Sequence, residues 1–261
     1  MKQAHQIDYH IYGEEMQFVE VELDPQESAV AEAGSMMMME DRIQMETVFG
    51  DGNQSQGLMG KLLGAGKRLL TGESLFITVY TNQGNSKRKV CFAAPYPGKI
   101  IPLNLLQYDG KLLCQKDSFL CAARGVSIGI AFQRKIGAGL FGGEGFIMQS
   151  LEGDGMVFVH AGGTLVEKQL LPGERLRVDT GCLVAMTQQV DYDIEFVGGV
   201  KTMLFGGEGL FLATVEGPGT VWLQSLPFSR LADRIVAASK TQREEGSVLG
   251  GLGRLLDGDN R

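Results

Sequence analysis

Short apolar runs alternate along the chain with glycine-rich breaks, and three of these runs are built alike. Ser74 to Thr81 (SLFITVYT), Gly145 to Leu151 (GFIMQSL) and Gly209 to Val215 (GLFLATV) have the length of a strand and are too short for a helix. Each runs into a polar turn: Asn82-Gln83-Gly84-Asn85, Glu152-Gly153-Asp154-Gly155 and Glu216-Gly217-Pro218-Gly219. A second apolar run then follows: Lys89-Val90-Cys91-Phe92, Met156-Val157-Phe158-Val159 and Thr220-Val221-Trp222-Leu223. Strand, glycine-rich turn and strand predict a hairpin in all three places.

The segments before these runs also recur, at near-equal intervals. Thr71-Gly72-Glu73-Ser74-Leu75, Gly142-Gly143-Glu144-Gly145-Phe146 and Gly206-Gly207-Glu208-Gly209-Leu210 share a glycine-glutamate core, preceded by Leu69-Leu70, Leu140-Phe141 and Leu204-Phe205. Further upstream, Leu23 to Ser28 corresponds to Leu170 to Arg175, and Val30 to Met36 corresponds to Arg177 to Leu183. The middle copy is more diverged and runs from Leu112 to Phe119. Repetition at this period is the mark of tandem units. It predicts an all-β chain of three short double-stranded β-helix or sandwich units with pseudo-three-fold symmetry. The boundaries fall at 1–95 (the first unit proper beginning near 17), 96–163 and 164–229. Ser229 to Ser239 (SRLADRIVAAS) is the one helical pattern, with Leu231, Ile235 and Val236 on one face; it opens a polar tail over 230–261.

Composition narrows the function classes. Thirty-seven glycines against seven prolines, with no collagen period, imply many tight turns rather than disorder. A net charge of −7 argues against nucleic acid as a partner. No apolar run reaches the ~18 residues that span a bilayer, and Met1 to His10 lacks a signal-peptide core, so a cytoplasmic location is expected. Cys91, Cys114, Cys121 and Cys182 form no CxxC pair and have no histidine at metal spacing, so they read as reduced thiols.

Candidate chemistry is sparse. Glu73, Glu144 and Glu208 recur in register; if they met near an axis they could ring a hard cation. The plainer reading has each carboxylate accept backbone N–H bonds in its own turn. Gly137-Ala138-Gly139-Leu140-Phe141-Gly142 matches a dinucleotide fingerprint by letters only, without the strand and helix it requires. With three histidines and no GxSxG elbow, the common nucleophilic and acid–base designs have no support, and no cofactor is implied. Met36 to Met39 reads as strand, with Met36 and Met38 on one face and core or subunit packing as its use. Gly57 to Leu70 (GLMGKLLGAGKRLL) joins leucines to bases. Lys61, Leu62, Leu63, Lys67 and Arg68 are the candidate surface for a partner or an acidic membrane.

The triplicated glycine-glutamate core, Val90 to Lys99 (VCFAAPYPGK) and Gln224 to Phe228 (QSLPF) resemble one family. It comprises bacterial proteins related to the eukaryotic mitochondrial-biogenesis protein named for altered inheritance of mitochondria. The resemblance implies a fold similar to the tryptophan RNA-binding attenuation protein and no catalytic residues to carry over. The expected function is a non-enzymatic scaffold or binding module with a protein partner, peripheral to the inner face of a membrane. The alternative is a small-ligand or cation-binding protein with an axial pocket at the three glutamates. Unpaired strand edges make a closed homo-oligomer an open expectation.

Overall fold

A computed structural model describes residues 3–49, 76–134, 146–196 and 211–238. Alternation of burial decides the strands: in Phe18–Leu23 the side chains of Val19, Val21 and Leu23 are buried while Glu20 and Glu22 lie outside them. The first strands are β1 (Asp8–Tyr12), β2 (Phe18–Leu23), β3 (Ser28–Glu32), β4 (Met36–Met39), β5 (Ile43–Phe49), β6 (Phe76–Asn82) and β7 (Arg88–Ala93). Next come β8 (Gly98–Asn104), β9 (Lys111–Gln115), β10 (Phe119–Ala123), β11 (Ser127–Arg134), β12 (Phe146–Glu152) and β13 (Met156–Gly162). The last are β14 (Leu165–Leu170), β15 (Arg175–Asp179), β16 (Leu183–Thr187), β17 (Asp191–Phe196), β18 (Phe211–Glu216) and β19 (Gly219–Gln224). Helix α1 covers 228–238. The chain is all-β, and among the described residues one α-helix, short and C-terminal, is present.

The strands form four antiparallel sheets, in the orders β1-β2-β7-β4, β5-β6-β3-β10-β13-β8, β11-β12-β9-β16-β19-β14 and β15-β18-β17. Two pairings fuse the smaller groups into six-stranded sheets. At the first seam β3 meets β10, with Ala31 opposite Cys121 and Ala29 opposite Ala123. At the second, β9 meets β16, with Cys114 opposite Ala185 and Leu112 opposite Thr187. Both β10 and β16 are buried at every residue. Small residues suit such central strands, where both faces are covered.

The three expected hairpins are not hairpins. β6 and β7 lie in different sheets, as do β12 and β13, and β18 and β19. The glycine-rich turns are corners that carry the chain from one sheet to another, because their backbone groups are engaged sideways. Gln26 N–H donates to the Asn82 carbonyl, and Asn82 N–H donates to the Glu27 carbonyl. Gly153 N–H donates to Gly110, and Gly217 N–H to Glu174. Each corner is thus tied to the preceding strand connection, and its groups are not free to close a two-stranded ribbon. Buried Asn82 pins the first corner: its Nδ2 donates to the carbonyls of Leu23 and Ser86, and its Oδ1 accepts from Gly84 N–H. The true antiparallel neighbours are β5 with β6, β11 with β12 and β17 with β18.

β4 also departs from expectation. A bulge between Met36 and Met38 breaks the alternation, and Met37, Met38 and Met39 are 46%, 51% and 39% exposed. They do not pack in the core of this chain. The same irregularity falls between Phe119 and Cys121 in β10 and between Leu183 and Ala185 in β16.

A short N-terminal strap precedes β1. Ala4 N–H donates to Asp154 Oδ1 at 2.7 Å, and His5 N–H donates to the Arg124 carbonyl at 2.9 Å. His5 Nδ1 in turn accepts from Ser28 N–H. The strap therefore bridges β3 and the strand ends of the next group, at the far end of the first seam. All four cysteines are free thiols; burial raises the pKa of Cys91 and Cys121, which disfavours their reactive thiolate forms.

Candidate functional site

Glu73, Glu144 and Glu208 lie outside the described residues, in the segments that connect β5 to β6, β11 to β12 and β17 to β18. Lys61, Leu62, Leu63, Lys67 and Arg68 lie outside them as well, in the first of those segments. The chemistry that the described residues assemble is elsewhere, at the first seam.

There the end of β3, the start of β4 and the residues after β7 surround a cavity of about 440 Å³. The first turn of α1 supplies Phe228, and β10 supplies Phe119 and Leu120. Apolar side chains dominate the wall. The polar side chains are few: Glu32, Ser35, Asp117, Tyr96 and His160. Tyr96 sets its ring edge-on to His160, with centroids 4.5 Å apart, and lies 5.5 Å from the Phe228 ring.

His160 is 1% exposed, and neither Nδ1 nor Nε2 has a hydrogen-bond partner. Burial holds its pKa down to about 4, opposed by a polar contact with the Tyr96 backbone that is too poorly aligned to make a full hydrogen bond, so the imidazole is neutral near pH 7. Glu32 is pushed up to about 7, first by burial, then by the Asp117 carboxylate, with Lys116 opposing. Burial likewise raises Tyr96 to about 12, helped by Asp117 and Glu32. The cavity therefore holds a neutral imidazole, a half-ionised carboxyl and a neutral phenol against an apolar wall.

The second seam places different residues on the same register. Gln224 pairs across to Leu165 as His160 pairs across to Ile100. Its Oε1 accepts from Gly162 N–H and its Nε2 donates to the Gly181 carbonyl, both at 2.7 Å. Gln115, buried at the end of β9, stands where Glu32 stands at the end of β3. Two residues beyond Ala93, Pro95 occupies the place that Gly162 occupies beyond His160; proline has no N–H to give. Sequence reasoning passed over His160 and Glu32 because they repeat nothing. Their signal is the contrast with the residues at matching strand register: Glu32 against Gln115 and Asp179, His160 against Ala93 and Gln224.

Among the described residues no three His, Cys, Asp or Glu side chains gather closely enough to hold a metal ion, and no helix is long and apolar enough to cross a membrane. Fold and cavity define an all-β protein whose antiparallel sheets join strand to strand along one chain, with an apolar, acidic pocket at one junction. The family described as Mitochondrial biogenesis AIM24 matches residues 9–226, and the chain belongs to it. An uncharacterized protein of Streptococcus pyogenes serotype M6 is 32% identical over 222 residues, covering 83% of this chain and 85% of that protein. The crystal structure of another Streptococcus pyogenes protein has a similar fold. Its TM-score is 0.71 at 24% identity, over 89% of this chain and 100% of that one.

Proposed function

We propose that the chain is a non-catalytic scaffold module that joins further copies of itself head to tail through β4 and β15. One observation carries this reading: β4 and β15 each end a sheet, and they are of the two kinds that pair at the seams. β4 lies beside β7 as β10 lies beside β13 and β16 beside β19. β15 lies beside β18 as β3 lies beside β6 and β9 beside β12. An unpaired edge is a template for another strand, and three exposed methionines make this one apolar. Because the two edges differ, the contact is heterologous and closes into a ring where the rotation permits.

In this reading the tandem units are successive steps of one assembly rule, and the assembly displays a surface to a protein partner at a membrane. Lys61, Leu62, Leu63, Lys67 and Arg68 supply its basic and apolar groups. Closure of β15 onto β4 within one chain would instead produce the pseudo-three-fold arrangement. Native mass spectrometry separates the two. The full chain is expected as a multiple of 28.3 kDa, and the double substitution Met38→Lys and Met39→Lys, which places charge on the edge, is expected to return it to one copy. A wild-type chain that stays single at tens of micromolar would overturn head-to-tail assembly.

A further inference from the structure

The first-seam cavity takes Met36 and Met37 from the start of β4 but none of the recurring glutamates, and its wall holds a buried imidazole whose nitrogens lack a well-formed hydrogen bond, whereas Gln224 at the second seam has its bonds made. We propose that it binds a small organic ammonium ion with an apolar body, seated between Glu32 and His160. The volume of about 440 Å³ is that of a small-ligand pocket. Its charged lining consists of Glu32 and Asp117, with no lysine or arginine among the lining residues, which disfavours anions. Lys116 is adjacent in sequence to Asp117 and tempers the acidity without lining the cavity.

The buried His160 is the second, independent sign of a ligand. A neutral imidazole keeps one nitrogen as an acceptor, and an ammonium N–H is a donor that could meet it. An imidazole with no well-formed hydrogen bond in a 1%-exposed position costs stability, and a ligand that supplies a partner recovers it. The aromatic rings of Tyr96 and Phe228 add faces that favour a cation, and Met36, Phe119 and Leu120 receive its hydrocarbon part. A metal ion is a poorer occupant, since among the described residues no three suitable side chains converge. The second seam supplies the control: there Gln115 and Gln224 are neutral amides, and Gln224 has both its bonds made within the chain.

Titration calorimetry on the full chain at pH 7, with hexylammonium, hexanol and hexanoate as probes, tests the proposal. Hexylammonium is expected to bind, and hexanol and hexanoate at least tenfold more weakly. Glu32→Gln is expected to weaken hexylammonium at least tenfold; glutamine already stands at the same register in β9, so the fold accepts it, and a melting temperature at pH 7 no lower than that of the wild type verifies this. Proton release is the second readout. A bound cation holds Glu32 ionised, so the apparent heat changes with the ionisation enthalpy of the buffer; Asp117, Lys116 and His160 are the other titrating groups in reach. Equal binding of hexanol or hexanoate, an unaffected Glu32→Gln variant, no binding of hexylammonium, or its displacement by zinc would each overturn the assignment.

Discussion

At the second seam a glutamine reaches from β19 to the end of β13 and to the turn before β16, accepting from Gly162 and donating to Gly181. At the first seam the same register holds His160, walled in without a well-formed hydrogen bond, beside a carboxyl that burial keeps half protonated. Backbone pairing is alike in both, down to the bulge in the incoming strand. The difference lies in a few side chains and in one missing N–H at Pro95. Like backbone pairing can therefore be locked by a side chain at one junction and carry a pocket at the next, with no change in topology.

Breaking the lock should produce the largest effect. Gln224→Ala strands the Gly162 N–H and the Gly181 carbonyl in a buried place, and each such group costs about 1–3 kcal/mol. Urea unfolding is expected to show a loss of about 2–4 kcal/mol, and an unchanged midpoint would mean that the amide is idle.

The pH response is the next largest and is hidden in the wild type. Glu32 has a folded pKa near 7, above its unfolded value, so its contribution to stability falls as pH rises from about 4.5 to 7. His160 has a folded pKa near 4, below its unfolded value, so its contribution rises between pH 4 and 6.5. The two slopes oppose each other. Relative to wild type, Glu32→Gln should expose a stability that climbs with pH, and His160→Gln one that declines. Melting temperatures from pH 4 to 7.5 read both; slopes of the same sign in the two variants would refute the assignment.

The smallest effect sharpens the contrast. His160→Leu removes two unpartnered nitrogens from an apolar wall and should leave stability unchanged or raise it by about 1 kcal/mol. A loss comparable to that of Gln224→Ala would show that the imidazole has a structural partner.

Much of this architecture was legible in the residues. Strands at Phe146–Glu152 and Gly219–Gln224 follow from apolar runs bounded by glycine turns, and family membership followed from motifs such as Val90 to Lys99. The corners were misread as hairpins because their bonds are non-local: whether Asn82 closes on β7 or on Gln26 and Glu27 depends on a chain segment more than fifty residues away. The expected helix begins at 228 rather than Ser229, a shift of one residue at an end. Its face of Ile235 and Val236 is exposed, which periodicity alone does not determine. The cavity was illegible for a related reason. Repetition draws attention to Glu73, Glu144 and Glu208, whereas Glu32 and His160 stand out only once cross-strand register shows which residues they replace.

The N-terminal strap carries a consequence for how the molecule is made. Ala4 closes on Asp154, 150 residues further along, while His5 closes on Arg124. A polypeptide leaves the ribosome with its N-terminus first. Ala4 and His5 must therefore wait beside β1 until Arg124 and Asp154 have emerged to receive them.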